Sequence, residues 1–364
     1  MRQHVANTPE EIENNLSDLC AYLAVPAVDD SAKVVSIYQW LIENIRYDSK
    51  AYRDGNKRIN RSNQDILNRK RAVCWGFSTL FHAMCEEVAI SSVVISGYGK
   101  PNLDSLLDLE SPNHAWNAVR INSRWYLLDA TWDSGNLATN SENELSKTYS
   151  YFLAAPDRFV LSHLPNDPAW QLLDCPISPE EYLMPVDSIT QIVKQKDCGV
   201  AYHQATKVDW SMSVQDRRLL DAIRTYEYHP TESNRRQLAH AQLDYEAYLT
   251  EIAEKLQIAK QYDSLLIVQS RMIQLCETAT RLTHLFDTQL ENCAYNFFNY
   301  AVTLTQINDK QEKTPVALWQ EVKMNFMRAQ SNLIDLPQNM FTENALSLCE
   351  DYIEYAESMI EKLE

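Results

Sequence analysis

Apolar positions along this chain recur at two spacings, and the balance between them changes near residue 185. In the first part, Ile12, Leu16, Leu19 and Leu23 lie at helical spacing behind Thr8-Pro9-Glu10-Glu11. That opening combines a hydroxyl cap, a first-turn proline and acids at the positive end of a helix dipole, and it predicts a helix from there. Val34, Ile37, Tyr38, Leu41 and Ile45 predict a second helix over about 31–47. Residues 48–62 are polar, rich in Asn, Arg and Lys around Gly55, and read as a surface loop. A short helix at 65–69 follows, and Phe77, Leu80, Phe81, Met84 and Val88 predict another that opens at Cys74. The spacing then drops towards two. Residues 93–99 are β-branched, close on glycines and predict a strand. After a loop at 100–113, two strands are expected over 114–121 and 124–131, joined at Asn122-Ser123. A further strand is expected at 149–153, and the segment closes on Trp170-Gln-Leu-Leu173.

Beyond Pro185 the pattern becomes helical throughout, and no glycine follows Gly199. Ser213-x-x-Asp216 has the form of a capping box ahead of Leu219, Leu220, Ile223 and Tyr226. Leu238, Tyr245, Leu249, Ile252 and Leu256 stripe the next helix, and a long periodic segment over 263–306 is expected to break at Phe286-Asp287. Thr314-Pro315 opens a helix to about Leu333, and Thr342 opens the last. Five or six amphipathic helices with short connections predict a bundle, with no repeat period. The expected division is therefore a mixed α+β domain over 1–185, a connector over 186–211 and a helical bundle over 212–364.

Composition narrows the function. At 364 residues and 45% hydrophobic content, the chain can build two cores. A net charge of −17 repels nucleic-acid backbones and anionic membranes, so neither is expected as a partner. No apolar run approaches the roughly 18 residues of a membrane span. The start, Met1-Arg-Gln-His-Val-Ala-Asn, has no apolar core of the signal-peptide kind. The eight cysteines show no Cys-x-x-Cys pair and no zinc-like spacing. Reserving Cys74 as a free thiol leaves an odd number, which fits a cytoplasmic or other reducing compartment better than a disulfide framework.

The chemistry gathers in three stretches: Arg71-Ala-Val-Cys74-Trp-Gly-Phe-Ser78, Asn113-His114-Ala-Trp-Asn117 and Trp125-Tyr-Leu-Leu-Asp129-Ala-Thr-Trp-Asp133. A cysteine opening a helix sits where the dipole and a neighbouring imidazolium both favour a thiolate, and its backbone N–H can face a developing oxyanion. The hairpin supplies a geometric test. If Asn122-Ser123 is a two-residue turn, Ile121 pairs with Arg124, and His114 and Asp129 fall on one face along a diagonal. Their backbones would then be roughly 7–8 Å apart, a gap that an imidazole and a carboxylate can close. Each residue alone has a bland reading: a buried cysteine, a satisfied core histidine, an aspartate ending a strand. In that order, with that local structure, Cys74, His114 and Asp129 are a thiol, its base and the group that orients the base. Cys85 is expected in the core and Asp133 as the cap of a turn before Ser134-Gly135.

The same stretches, with Tyr38-x-Trp40-Leu-x-x-Asn44-Ile-x-Tyr47-Asp48 ahead of them and Tyr151-Phe-Leu153, Pro156, Phe159, His163-x-Pro165-x-Asp167 and Trp170-Gln-Leu-Leu173 behind, resemble the transglutaminase-like superfamily. The bacterial and kyphoscoliosis-peptidase-like branch is the nearest in pattern, over about residues 30–175. The resemblance implies a papain-like fold, in which a cysteine-bearing helix packs on an antiparallel sheet. It also implies Cys74 as nucleophile, His114 as base and acid and Asp129 as orienter, acting on a peptide or protein amide through a thioester. Trp40 and Gln39 are candidates for an oxyanion partner, and Trp75 and Trp116 for walls of a substrate groove. Two departures stand out. Ala72 replaces the glycine common before the Val-Cys pair, and no acidic cluster matches the calcium sites of animal transglutaminases. Neither a metal nor a cofactor is expected. A second reading stays open: a catalytically silent scaffold whose acidic helical domain binds a protein partner or self-associates.

Overall fold

The computed structural model describes residues 2–53, 62–103, 105–135, 150–198, 212–310 and 314–364. Parts of the expected loop at 48–62 and of the connector at 186–211 lie outside the described residues, as does Tyr149 of the strand expected at 149–153. The chain divides into two compact units, Met1–Val208 and Asp209–Glu364.

The first unit opens with helix α1 (Arg2–Ala6), and α2 follows at Leu16–Ala24, capped by the Asn15 side chain. The helix expected to be capped at Thr8 is thus capped at Asn15 and begins at Leu16. Residues 9–14 form turns, so a favourable opening did not override the stronger Asn15 cap. Helix α3 (Asp30–Asn44) is capped by Asp29, and Ile45 turns the chain into strand β1 (Arg46–Tyr47). Helices α4 (Ser49–Arg53) and α5 (Asn63–Arg69) lead to strand β2 (Arg71–Ala72) and helix α6 (Cys74–Glu87). Strands β3 (Ser92–Gly99), β4 (His114–Ile121) and β5 (Arg124–Leu128) follow, then short helices α7 (Ala130–Asp133) and α8 (Pro156–Phe159). Strand β6 (His163–Pro165), a 3-10 turn at Pro168–Gln171, and helices α9 (Pro179–Tyr182) and α10 (Val186–Gln195) complete it. Helix α10 occupies the start of the stretch read as a connector.

Four strands make one antiparallel sheet in the order β5-β4-β3-β6. Ile121 pairs with Arg124, which is the register the two-residue turn required, and Asn122 and Ser123 both take positive φ (50° and 65°). No strand forms over 150–153. Only Ala154 bridges to Leu127, because the segment turns back to hold the end of β5 rather than extend along it. Strand β4 is inner in the sheet and buried on both faces, and helix α6 packs against it and β3. One core joins α2, α3, α5, α6 and the sheet through Leu23, Val34, Trp40, Leu41, Phe77, Leu80, Phe81 and Val119.

The second unit is entirely helical among its described residues: α11 (Val214–Tyr228), α12 (Glu232–Ile258), α13 (Tyr262–Leu282), α14 (Asp287–Asn308), α15 (Val316–Ile334) and α16 (Met340–Leu363). The capping box at Ser213 and Asp216 is formed, and the break falls at 283–286. Asn339 rather than Thr342 caps the last helix. Each helix packs chiefly on its neighbours in chain order. Trp319, Val322 and Phe326 of α15 centre one cluster, with Phe297 and Leu304 of α14 and Cys349 of α16. No described helix is long and apolar enough to cross a membrane.

Cysteine arithmetic misleads here. Cys175 is bonded to Cys198, and Cys276 to Cys293, which runs against the expectation of unpaired thiols in a reducing compartment. The odd count arises because three other cysteines are buried free thiols beside Cys74: Cys20, Cys85 and Cys349. Burial, and secondarily Glu87, pushes the Cys20 thiol up to about 12, and burial raises Cys85 and Cys349 likewise. These are packing groups, not nucleophiles.

Candidate active site

Cys74 is the first residue of α6, reached through extended Val73 (φ −89°, ψ 175°), and it is partly exposed. The approach is fixed from both sides. Ala72 pairs in parallel with Tyr47, and the Asp48 N–H donates to the Ala72 carbonyl at 2.9 Å. Ala72 is wholly buried in that pairing, which accommodates a side chain where glycine was the expected residue. Val73 offers no side-chain cap, so the first N–H groups of the 14-residue helix lack a side-chain acceptor from that position. Tyr47 lies by the thiol: burial first, then Cys74, Tyr52 and two aspartates, push its phenol up.

His114 opens β4, opposite Gly97 of β3. Asn113 clamps the preceding turn, accepting from the Gly99 N–H at 2.7 Å and donating to the Gly99 carbonyl at 3.2 Å. The His114 ring stacks on Trp132 with centroids 5.0 Å apart. A Cβ on Gly99 would sit 3.0 Å from both the His114 ring and Trp132, so a larger residue there would press on the imidazole and its stacking partner. At Gly97 a Cβ would fall 2.2 Å from the Leu164 carbonyl oxygen and 2.6 Å from Trp116.

Asp129 follows β5 directly, fully buried, and each carboxylate oxygen has a distinct task. Oδ1 accepts the Thr131 and Trp132 N–H groups at 2.8 and 3.2 Å, capping α7. Oδ2 lies 2.7 Å from His114 Nε2 and 3.2 Å from His163 Nε2. A carboxylate only accepts, so both Nε2 atoms are donors and a neutral His114 keeps Nδ1 as an acceptor; Cys74 is near enough to the imidazole to help raise its pKa. Burial alone would lower the His114 pKa. Asp129 and Cys74 outweigh it and push the imidazole up to about 9. Burial likewise opposes ionisation of Asp129, and the two histidines hold its carboxyl well below the usual range. Of the three side chains singled out in the sequence, His114 and Asp129 are directly hydrogen-bonded, and Cys74 is close enough to act on the charge of His114.

Other expectations fare differently. Trp40 is buried in the core, its indole N–H given to Glu13 at 3.3 Å and its face covered by Lys70, which is ion-paired to Glu13. Gln39 is 3% exposed and its amide donates to Glu43. Neither is presented as a free donor. Trp116 is 1% exposed and packs edge-on against His163, so it supports the site from behind rather than walling a groove. Trp75, by contrast, is 53% exposed next to Cys74. Asp133 does not cap the turn before Gly135. It takes the Tyr38 hydroxyl at 2.7 Å and the Tyr151 N–H at 3.1 Å, and the Tyr38 hydroxyl also reaches the Asp129 carbonyl oxygen at 2.9 Å. Burial exceeds these bonds and pushes the Asp133 carboxyl up to about 6.

Residue reading alone gave His163 no role. It lies on β6 at the far edge of the sheet, and neither periodicity nor local spacing connects it to Asp129. Among the described residues, His114, Asp129 and His163 also form the one group with the donor chemistry for a metal, their ligand atoms within 4.8 Å of one another. Those atoms already satisfy each other, so the trio is complete as a hydrogen-bonded relay.

A sequence model of the transglutaminase-like superfamily matches residues 17–130. The chain is 31% identical over 180 residues to kyphoscoliosis peptidase of Mus musculus, covering 47% of this chain and 26% of that protein. To kyphoscoliosis peptidase of Homo sapiens it is 30% identical over 179 residues, with the same coverage. It thus spans about a quarter of the length of these relatives. A solved transglutaminase, described as a TGase, shares 19% identity over 39% of this chain and 35% of that one, with a TM-score of 0.28. The match to the transglutaminase-like superfamily thus runs from α2 to the start of α7, which takes in the cysteine helix, strands β3 to β5 and Asp129.

Proposed function

We propose that the first unit is a cysteine-dependent enzyme acting on peptide or protein amides, with Cys74 as nucleophile, His114 as base and acid, and Asp129 as orienter. The observation that carries this reading is the 2.7 Å bond from His114 Nε2 to Asp129, which leaves the other ring nitrogen to the thiol at the start of α6. In the first step Sγ bonds to the amide carbon while the thiol proton rests on His114 Nδ1 as part of the imidazolium. The oxyanion forms within reach of the α6 N-terminus, where the Cys74 N–H can donate. His114 then returns the proton to the departing amine, the C–N bond breaks, and a thioester remains. Water completes hydrolysis or deamidation, and a primary amine completes transamidation. The raised His114 pKa suits a proton carrier that is charged at neutral pH beside an ionised aspartate.

The test is mass spectrometry of peptide mixtures incubated with the protein, with and without a primary amine. Chain cleavage, a gain of about one mass unit, or an amine adduct would each name the reaction, and each should vanish in Cys74→Ala. Unchanged peptides together with an unreactive Cys74 would favour the scaffold reading, in which the helical unit binds a partner.

A further inference from the structure

We propose that His163 is a positioning residue for this triad: its Nε2–H donates to the Asp129 oxygen that His114 also uses, which fixes the carboxylate for the catalytic imidazole. The inference rests on the triad reading above and extends it to a fourth group.

His163 is 1% exposed, and both of its ring nitrogens are engaged. Nε2 lies 3.2 Å from Asp129 Oδ2, and Nδ1 lies 2.9 Å from Ser162 Oγ. Because Nε2 must donate to a carboxylate, a neutral ring has Nδ1 as acceptor and the Ser162 hydroxyl as its donor. The surroundings favour that neutral state. Phe159 stacks on the ring at 4.1 Å, Trp132 lies 4.2 Å away, and Trp116 and Tyr151 stand edge-on at 5.0 and 5.2 Å. The titratable groups facing it are Asp129, His114 and Tyr151. Burial outweighs the attraction of Asp129, and with His114 alongside it lowers His163 to about 4. One carboxylate therefore serves two imidazoles of opposite character, one held charged and one held neutral. Asp129 Oδ1 is committed to the start of α7, so Oδ2 is the oxygen left to aim, and His163 is its second donor. A packing role alone would be met by any aromatic ring in this cage; the positioning role needs the Nε2 donor.

The experiment measures the rate of Cys74 alkylation by iodoacetamide from pH 5 to 10 in the full chain and in His163→Phe, His163→Gln and His114→Ala. Phe keeps the ring without the donor, and the Gln side-chain amide can place an N–H near the Nε2 position. We expect His163→Phe to be slower at pH 7 by about 10- to 100-fold, the weight of one hydrogen bond to a buried charge. Its alkaline limb should move to lower pH, because a carboxylate free to turn pairs less well with the imidazolium. His163→Gln should recover most of the rate and the limb. A His163→Phe protein with the wild-type rate and profile, beside a slow His114→Ala, overturns the inference and leaves the triad standing. Equal slowing in Phe and Gln with an unmoved profile also overturns it, as packing alone. A His114→Ala protein as fast as wild type removes the triad and this inference with it. Should His163→Phe fail to fold, the tautomer of His163 in 15N-histidine-labelled protein decides: a neutral ring protonated at Nε2 from pH 6 to 8 supports the proposal, and an Nδ1–H or charged ring overturns it.

Discussion

At residue scale, the candidate site is held in place because each polar atom has its own partners and little freedom to take others. Asp129 spends one oxygen on backbone N–H groups and the other on imidazoles. Gly99 is the complementary case, a residue important for the side chain it lacks. Gly99→Ala should displace the His114 ring or Trp132, slowing Cys74 alkylation at least tenfold while circular dichroism still reports a folded protein. The two histidines also set opposite limits on stability. The folded pKa of His163 is lowered to about 4, so its contribution is present above the unfolded value near 6.5 and is lost as pH falls towards 4. His114 is raised to about 9, so its contribution is present below about 6.5 and is lost as pH rises through 9. Thermal melts should therefore fall away on both sides of neutrality, and His163→Gln should flatten the acid side only. A melting curve unchanged from pH 7 to 4 in wild type would contradict this assignment. Cys74, His114 and Asp129 were readable because each sits in a local pattern with its own signal. His163 was not, because the link runs through a sheet edge formed by a distant strand.

At the scale of elements, the hairpin links sequence to site. A two-residue turn at Asn122-Ser123 placed Asp129 on the face of His114, and the observed pairing keeps that register down to Asn117 opposite Leu128. Asn117 then ties the strand to its neighbours, donating to the carbonyls of Ser78 on α6 and Val93 on β3. Both turn residues have positive φ, which Asn adopts at less cost than Ser. Ser123→Gly should stabilise the first unit by about 0.5–1 kcal/mol without altering alkylation of Cys74, as a denaturant melt can measure. A loss of stability would mean that the turn is held by something other than local backbone preference. Boundaries were less legible than the elements themselves. The opening at Thr8-Pro9 satisfies every local rule for a helix start, yet Asn15 prevails, and the apolar stretch at 150–153 turns instead of pairing. In both places tertiary packing chose among segments whose local preferences were close.

At the scale of the whole molecule, the loss of glycine after residue 199 marked the change from a mixed unit to a helical one. The disulfides were hidden from the sequence because pairing depends on where cysteines meet in space. Cys276–Cys293 joins α13 to α14 across a separation of 17 residues, for which chain entropy gives about 3 kcal/mol. Reduction should thus lower the melting transition of the second unit, and Cys276→Ser should reproduce the shift without slowing Cys74. If reduction leaves every transition unmoved, the bond contributes nothing to the helical unit. The charge of −17 repels polyanions such as nucleic-acid backbones.

The most direct measurement is the rate at which iodoacetamide modifies Cys74 at pH 7 in wild type and in His114→Ala. Cys74 paired with a charged His114 should react, and loss of the imidazole should slow it by roughly 100-fold or more, with Cys20, Cys85 and Cys349 staying unmodified in both. Equal modification of Cys74 in the two proteins would mean that the imidazole does not activate the thiol.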